Sequence, residues 1–175
     1  NFKLLYSNSF RAPSIENINL GPLEGIQPER TAVAEFELGY QIKKQHLLTL
    51  NFYDITTRDP IVYFYDDSLQ TDNYVNDISS MGTMGFETEY RFKNKYGHIT
   101  CSYSLYTAKG KDQVADYAVA DDESYLLAFA RHKLTLNASV NITSRLMANL
   151  SCVYQGKRYG YASVDSLDES VLEVI

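Results

Sequence analysis

The strongest constraint in this sequence is a hydropathy period of two that runs through residues 131–155. Between residues 134 and 142 every second position is apolar, and the positions between them hold Thr, Asn or Ser. The same alternation resumes over residues 146–154, after a link at 143–145. A period of two indicates a β-strand with one apolar and one polar face. Two such runs joined by a short link predict an antiparallel hairpin.

Other stretches repeat this pattern and bring the prediction to about seven strands. They are residues 1–7, 31–42, 46–57, 81–92 and 98–107. The connectors alternate in length. The short ones are 43–45, 94–97 and 143–145, and the long ones are 8–30, 58–80 and 108–131. We expect the aromatic run 63–65 to extend a strand, and we expect no further clear strand in residues 157–175.

Composition limits the classes of protein that fit. The 175 residues suit one domain or a piece of a larger one. The longest apolar run is residues 125–130, whereas a transmembrane helix needs about 20 apolar residues. The first residues show no signal peptide. A net charge of −6 argues against a nucleic-acid partner, for which a basic face is expected.

Alternation alone leaves two barrel types open, because the apolar face fills a soluble barrel but meets lipid in a membrane barrel. Short turns alternating with long loops are typical of outer-membrane barrels. Each run also has about the 9–11 residues that a tilted membrane strand needs. The polar face, rich in Asn, Ser, Thr and Glu, suits a hydrated interior. We therefore predict an all-β protein: a fragment of an antiparallel transmembrane β-barrel, with about seven strands.

Few residues suggest catalysis or metal binding. Cys101 and Cys152 fall on strands with one strand between them, about 9.6 Å apart, too far for a disulfide, so we expect free thiols. His46 and His98 lie at short-turn ends and His132 at a long-loop end, so one metal site cannot gather them. The glutamates of the polar face lack a partner base. We expect no enzyme activity, no metal site and no cofactor.

Several sequence stretches, in order, resemble the strand and loop motifs of TonB-dependent outer-membrane receptors. They are residues 6–14 (YSNSFRAPS), 26–30 with 37–40, 50–55 with 59–61, and 74–76 with 84–87. The likeness extends from residue 1 to residue 161.

This resemblance implies a barrel of about 22 strands with a plugged lumen. It also implies active import of a scarce ligand, such as an iron-carrying siderophore, haem or cobalamin, with energy passed through TonB. The location implied is the outer membrane of a Gram-negative bacterium. The expected partners are membrane lipid and lipopolysaccharide, the small-molecule ligand, and TonB through an N-terminal region that these residues lack. Because neither a plug, a TonB-contacting box nor a closing aromatic strand is visible, we expect residues 1–175 to be a partial barrel.

Two alternatives stay open. One is a passive or structural outer-membrane barrel of the porin type, which is not expected to carry the motifs in residues 10–14 and 27–29. The other is a saccharide importer of the starch-utilisation type. Such importers usually have tryptophan where Pro28 stands, which favours the siderophore or cobalamin branch.

The long loops supply the first candidate ligand-binding residues, since loops on a rigid scaffold concentrate binding. The candidates are Arg11, Tyr63, Tyr65 and Tyr74. Aromatic and basic side chains together suit planar, anionic ligands. The alternative explanation for the tyrosines is an aromatic belt at the membrane interface.

The outer rim of the hairpin supplies three more candidates. A turn centred on Ser144 places Arg131 opposite Lys157 and His132 opposite Gly156. Alternation then points Arg131, Lys133 and Lys157 toward the lumen, and His132 and Arg158 toward lipid headgroups. Three like charges repel unless an anion or an acidic group lies among them. Either the acidic stretch 121–123 neutralises them, or they attract an anionic ligand.

Overall fold

Seven strands of the chain form one antiparallel sheet. The computed structural model describes residues 1–66, 70–76, 80–114, 117–119, 122–163 and 170–174. The strands of the sheet, in their spatial order, are β1 (Phe2–Arg11), β2 (Glu29–Ile42), β3 (His46–Arg58), β6 (Ser80–Asn94), β7 (Gly97–Thr107), β8 (His132–Asn141) and β9 (Met147–Gln155). The predicted all-β, antiparallel, seven-strand architecture is confirmed, with β1 and β9 at the two edges.

Smaller elements lie in the connectors. The helix α1 (Ile15–Asn19) follows β1, and two hairpins stand outside the main sheet: β4 (Ile61–Asp66) with β5 (Thr71–Asn76), and β10 (Tyr159–Ser163) with β11 (Ser170–Val174). Within the described ranges, no helix has the length and apolarity needed to cross a membrane.

The strand register aligns the apolar positions into continuous rows. One row consists of Leu38, Leu50, Thr88, Tyr103, Leu134 and Tyr154. The neighbouring polar row consists of Lys3, Glu37, Asn51, Glu87, Ser104, Lys133 and Gln155. Because a slip of one residue would exchange the faces, the unbroken rows show that every strand presents its predicted apolar side to the same face.

The apolar face is the outer one. Along β2, Ala34, Phe36 and Leu38 are exposed, whereas Glu35 and Glu37 between them are partly buried. Among the described residues, the buried hydrophobic side chains lie in the connectors rather than in the sheet: Ile26, Val62, Ala108, Val114 and Val119. A soluble barrel buries its apolar face, so this arrangement is that of a membrane barrel wall, which turns its apolar face to lipid.

The hairpin of β8 and β9 has the predicted register. Leu134 pairs with Tyr154, and the Gly156 N–H donates to the His132 carbonyl at 2.8 Å, which extends the ladder outward as predicted. Cys101 and Cys152 flank Leu136 from the two neighbouring strands. Both thiols are free, as predicted.

Three predictions about strand extent were wrong: the end of β1, the placement of residues 63–65, and the absence of strands in residues 157–175. β1 continues to Arg11, four residues beyond the predicted end, because a strand that rises above the lipid keeps its backbone pairing without apolar alternation. Residues 63–65 belong to the separate hairpin of β4 and β5, not to an extended sheet strand. Residues 157–175 contain β10 and β11. Each has five residues, too few for alternation to be recognised.

Candidate functional site

A capped helix orders the first long loop, between β1 and β2. The Ser14 hydroxyl accepts a hydrogen bond from the Asn17 N–H (3.2 Å), and the Asn17 side-chain oxygen accepts one from the Ser14 N–H (2.9 Å). This reciprocal capping satisfies two backbone donors that the start of a helix leaves free. The loop after Pro13 therefore has a defined shape.

The side chain of Asn76 joins the first loop to the hairpin of β4 and β5. Its Oδ1 accepts from the Gln27 N–H at 2.8 Å, and its Nδ2 donates to the carbonyls of Gln27 (3.1 Å) and Asp59 (2.7 Å). The Tyr74 N–H donates to the Leu20 carbonyl at 3.0 Å. Hydrogen bonds from the Asn76 side chain and the β5 backbone to backbone groups of the first loop thus hold the two loops together.

The carboxylate of Glu29 supports the base of both loops. Its Oε2 lies 2.9 Å from the Arg11 Nη2 and accepts from the Ile61 N–H at 3.3 Å. Arg11 and Glu29 are also register partners across β1 and β2. The predicted ligand residue Arg11 is therefore paired with a carboxylate of its own chain.

The hairpin of β4 and β5 presents its tyrosines on one face. Along β4, Val62 is 5% exposed, whereas Tyr63 and Tyr65 are 47% and 51% exposed. Tyr63 pairs in register with Tyr74, and their rings meet edge to face with centroids 5.5 Å apart. Since side chains two residues apart share a face, the structure brings the three predicted tyrosines together.

Carboxylates accompany these tyrosines. The Tyr63 hydroxyl donates to Asp72 Oδ1 at 2.5 Å, and the Tyr74 hydroxyl donates to Glu16 Oε1 at 3.5 Å. The hydrogen bond to Asp72 raises the pKa of Tyr63 above its ordinary value. Desolvation and the Glu16 carboxylate raise the pKa of Tyr74. The face therefore offers protonated phenols, ring surfaces and acceptor oxygens.

Near the end of β7, Tyr106 contacts the third long loop at the barrel mouth. Its hydroxyl donates to the Phe129 carbonyl (3.0 Å) and accepts from the Leu126 N–H (3.1 Å). Arg131 Nε donates to the Tyr106 carbonyl at 3.2 Å, and the guanidinium lies 5.7 Å from the centroid of the Tyr125 ring. The candidate Arg131 is therefore engaged by the end of β7 and by its own loop.

The other two rim candidates occupy different surroundings. Lys133 lines a groove of about 370 Å³ on the polar face, together with Glu37 and Glu87. Lys157 is exposed. At the same rim, Arg131 contacts Tyr106 and Tyr125, Lys133 shares a groove with Glu37 and Glu87, and Lys157 is exposed.

The acidic stretch predicted to neutralise the rim cations is only partly described. Asp122 Oδ1 accepts from the Ser124 N–H at 3.0 Å, and the Glu123 carbonyl accepts from Gln113 Nε2 at 2.6 Å. Asp121 lies outside the described residues. Among the described residues, both oxygens therefore accept hydrogen bonds from residues of the same loop.

The histidines lie at the ends that the sequence predicted. His46 Nδ1 is 2.7 Å from the Tyr90 hydroxyl near a short turn, and His132 Nδ1 is 2.7 Å from the Tyr103 hydroxyl near the long loops. Both stand on the apolar face. Among the described residues, no three His, Cys, Asp or Glu side chains converge on a metal site.

Sequence reasoning missed two groups of residues. Asn76 and Glu29 organise the loops, and the only signal was that both lie in stretches that resemble family motifs. The second group is the polar-face groove, where Glu89 lies 2.5 Å from Arg91 and accepts from the Ser102 hydroxyl at 3.4 Å. The alignment of these residues depends on pairing between strands that are distant in sequence.

The comparisons with known proteins agree with the strand and loop geometry. The family described as "TonB dependent receptor-like, beta-barrel" matches residues 1–170. No curated protein matches the chain. The matched range includes all seven strands of the sheet and the loops that carry the tyrosine face.

Proposed function

This chain belongs to the TonB-dependent receptor family, in its β-barrel part, and from that membership we propose that it forms the wall and outer loops of a transporter that imports a scarce ligand with TonB-coupled energy. The ligand binds first at the outer loops. The barrel lies in the outer membrane of a Gram-negative bacterium, and TonB acts through the plug domain of the receptor rather than through the barrel wall.

The observation that carries this proposal is the docked pair of loops on the rigid sheet. Asn76 and Glu29 connect the first loop to the hairpin of β4 and β5. The hairpin then presents Tyr63 and Tyr65 half exposed on one face. Ordered loops that expose aromatic rings on a rigid scaffold support a binding role, because little conformational entropy is lost when a ligand docks.

The chemistry of the tyrosine face supports a ligand with planar surface and hydrogen-bond donors. Ring faces accept flat or cationic groups. Asp72 and Glu16 beside the rings provide acceptors for N–H and O–H groups. A siderophore or a cobalamin-like macrocycle has these features, and Pro28, which stands where saccharide importers usually have tryptophan, also favours this branch.

Uptake by the intact receptor tests the proposal. Cells that express the receptor are supplied with ferric siderophores, haem, cobalamin or maltooligosaccharides, in strains with and without TonB. We expect uptake of one of the first three classes, dependent on TonB. Uptake that persists equally without TonB would support the porin-like alternative, and uptake confined to maltooligosaccharides would support the saccharide importer.

The binding site is tested separately. Deleting residues 61–75 from the intact receptor should abolish ligand binding to whole cells while leaving the amount of folded receptor in the membrane unchanged. Tyr63→Phe with Tyr65→Phe keeps the rings and removes the hydroxyls, which separates stacking from hydrogen bonding. Unchanged uptake after the deletion would exclude Tyr63, Tyr65 and Tyr74 from the site.

A further inference from the structure

The two docked outer loops carry charge of one sign. Residues 12–28 and 59–80 contain seven Asp and Glu and no Lys, Arg or His. When the flanking positions are included, segments 11–30 and 58–80 hold three arginines against eight carboxylates, a net charge of −5. Because the sequence concentrates this charge in two loops that dock on each other, the potential around them is negative.

Two of the carboxylates lie at the tyrosine face, which consists of Tyr63, Tyr65 and Tyr74. Asp72 is the register partner of Tyr65, so its side chain shares that face. Glu16 of α1 reaches the face from the first loop, where its Oε1 accepts from the Tyr74 hydroxyl at 3.5 Å. Both carboxylate side chains are exposed. The aromatic rings and the negative charges are therefore open to the same ligand.

In the part of the chain that the structure describes, no basic side chain neutralises Glu16 or Asp72. The ion pairs there join Arg11 to Glu29, Arg91 to Glu89, and Lys111 to Asp54. The cations found over aromatic rings are Lys95 at Tyr96 and Arg131 at Tyr125, away from the tyrosine face. A cation that balances this face therefore has to come from outside the chain.

The hydrogen bonds of the tyrosine face select against an anion as well. The Tyr63 hydroxyl donates its proton to Asp72, and the Tyr74 hydroxyl donates its proton to Glu16. Two of the three phenol donors are thus used within the chain, and the lone pairs of their oxygens remain as acceptors. An anionic group needs donors, whereas an ammonium or guanidinium group supplies them.

The exposed rings and apolar side chains add a surface for the body of such a ligand. The face of an aromatic ring is negative, and it attracts a cation within about 6 Å of its centroid. Tyr63 and Tyr65 are half exposed, and Ile15 and Ile18, three residues apart on one side of α1, are largely exposed. Exposed apolar surface rimmed by polar groups marks a binding site.

We propose that the tyrosine face binds the positively charged part of the ligand: a protonated or quaternary amine, or a guanidinium, joined to a planar or apolar body. The inference rests on the ligand-binding role proposed above for the outer loops, and it narrows the class of ligand. The rim candidates Lys133 and Lys157 belong to β8 and to the segment after β9. They therefore leave the charge of these two loops unchanged.

The test uses the intact receptor in nanodiscs of phosphatidylcholine, a lipid without net charge. Three probes share one ring and differ in charge: para-fluorobenzyltrimethylammonium, para-fluorobenzyl alcohol and para-fluorobenzoate. Fluorine NMR measures the affinity of each probe at low and at high salt. Probe binding needs no TonB, so a failure of this inference is distinguishable from a failure of TonB-dependent uptake.

Three double variants separate charge from ring surface. Glu16→Gln with Asp72→Asn removes both charges but keeps oxygen acceptors for the Tyr74 and Tyr63 hydroxyls. The matched control is Asp122→Asn with Glu123→Gln, which removes two charges from the third long loop, outside the tyrosine face. Tyr63→Leu with Tyr65→Leu removes two rings and leaves the carboxylates.

We expect the unmodified receptor to bind the cation about tenfold or more tightly than the benzoate, with the alcohol between them. The difference should shrink at high salt, since screening weakens exposed charges. Glu16→Gln with Asp72→Asn should lose about fivefold in affinity for the cation, and the control less than about twofold. Tyr63→Leu with Tyr65→Leu should weaken the binding of the cation and of the alcohol.

Any of four results would overturn the proposal. The first is that the cationic probe does not bind to the unmodified receptor, and the second is that the benzoate binds as tightly as the cation. The third is an equal loss in the face variant and in the control, which would show an effect of total charge. The fourth is unchanged cation binding in Tyr63→Leu with Tyr65→Leu, which would place the cation away from the tyrosine face.

Discussion

The side-chain amide of Asn76 pairs with both backbone groups of Gln27, 49 residues earlier in the chain, at 2.8 and 3.1 Å. An asparagine side chain here does what a neighbouring strand does elsewhere: it satisfies an N–H and a C=O of the same residue. A third hydrogen bond, to the Asp59 carbonyl, holds the start of the β4–β5 hairpin at the same point. Asn76 therefore supplies two of the hydrogen bonds that join the two outer loops, beside those of Glu29 with Ile61 and of Tyr74 with Leu20.

Asn76→Ala should release the first loop from the hairpin. Three hydrogen bonds at about 0.5–1.5 kcal/mol each are lost, so amide hydrogen exchange in residues 12–28 should rise at least tenfold, with little change in the thermal stability of the barrel. Asn73→Ala is the control, since among the described residues the Asn73 side chain hydrogen-bonds to Thr71 within its own hairpin. Equal exchange in the two variants would show that Asn76 does not join the loops.

Gly85→Ala should destabilise the sheet by about 1–3 kcal/mol, the usual cost of overpacking. A Cβ at Gly85 would collide with the Leu105 carbonyl and lie 2.7 Å from the Tyr53 hydroxyl. Gly39→Ala in β2, also on the polar face, is the matched control, because the three atoms nearest to its Cβ belong to the side chain of Asn1, which can move. Reversible unfolding in lipid compares the two, and equal costs would contradict the close approach at Gly85.

Leu136→Arg should lower the stability of the barrel by about 2–4 kcal/mol, as expected for a charge near the bilayer midplane. Leu136 lies between Cys101 and Cys152 on the apolar face. Asn137→Arg, one residue further and on the polar face, should cost far less. Unfolding in lipid that gives the same loss for both would mean that the faces are reversed.

Asp72→Asn should lower the pKa of Tyr63 toward its ordinary value of 10.0, because the hydrogen bond to Asp72 is the main cause that raises it. A raised pKa means that the folded hairpin holds the phenol proton more tightly than the unfolded chain does. This contribution to stability is present below pH 10 and is lost as the pH rises through the raised value.

Carbon NMR of the tyrosine rings measures that titration, and the Tyr63 signal is identified by its loss in Tyr63→Phe. Asp66→Asn tests whether any nearby carboxylate has the same effect. An unchanged Tyr63 titration in Asp72→Asn would show that the bond to Asp72 does not hold the proton.

Lys133→Glu with Lys157→Glu should slow the association of an anionic ligand, most strongly at low salt, since steering is screened as ionic strength rises. The single variant Lys157→Glu shows how much of the slower association comes from Lys157 and how much from Lys133. Lys157 is exposed, whereas Lys133 shares its groove with Glu37 and Glu87. Stopped-flow association at two salt concentrations is the measurement. The same rate for all variants at low salt would leave these lysines a structural role only.

The sequence by itself determined the strands and their faces. A strand with lipid on one side and water on the other must alternate apolar and polar residues, as residues 134–142 do. This alternation is a local property of the chain, so it can be recognised without the tertiary structure. The turn at Ser144 likewise set the pairing of Leu134 with Tyr154, because a short link allows few registers.

Only the tertiary structure decided which residues meet. Asn76 and Gln27 are far apart in sequence, and so are Glu29 and Ile61, and no periodicity relates the members of either pair. Above the lipid, alternation is no longer required, which is why the end of β1 was placed at Ser7 instead of Arg11. The opposition of Arg30 and Arg58 likewise follows from thirteen paired positions between β2 and β3.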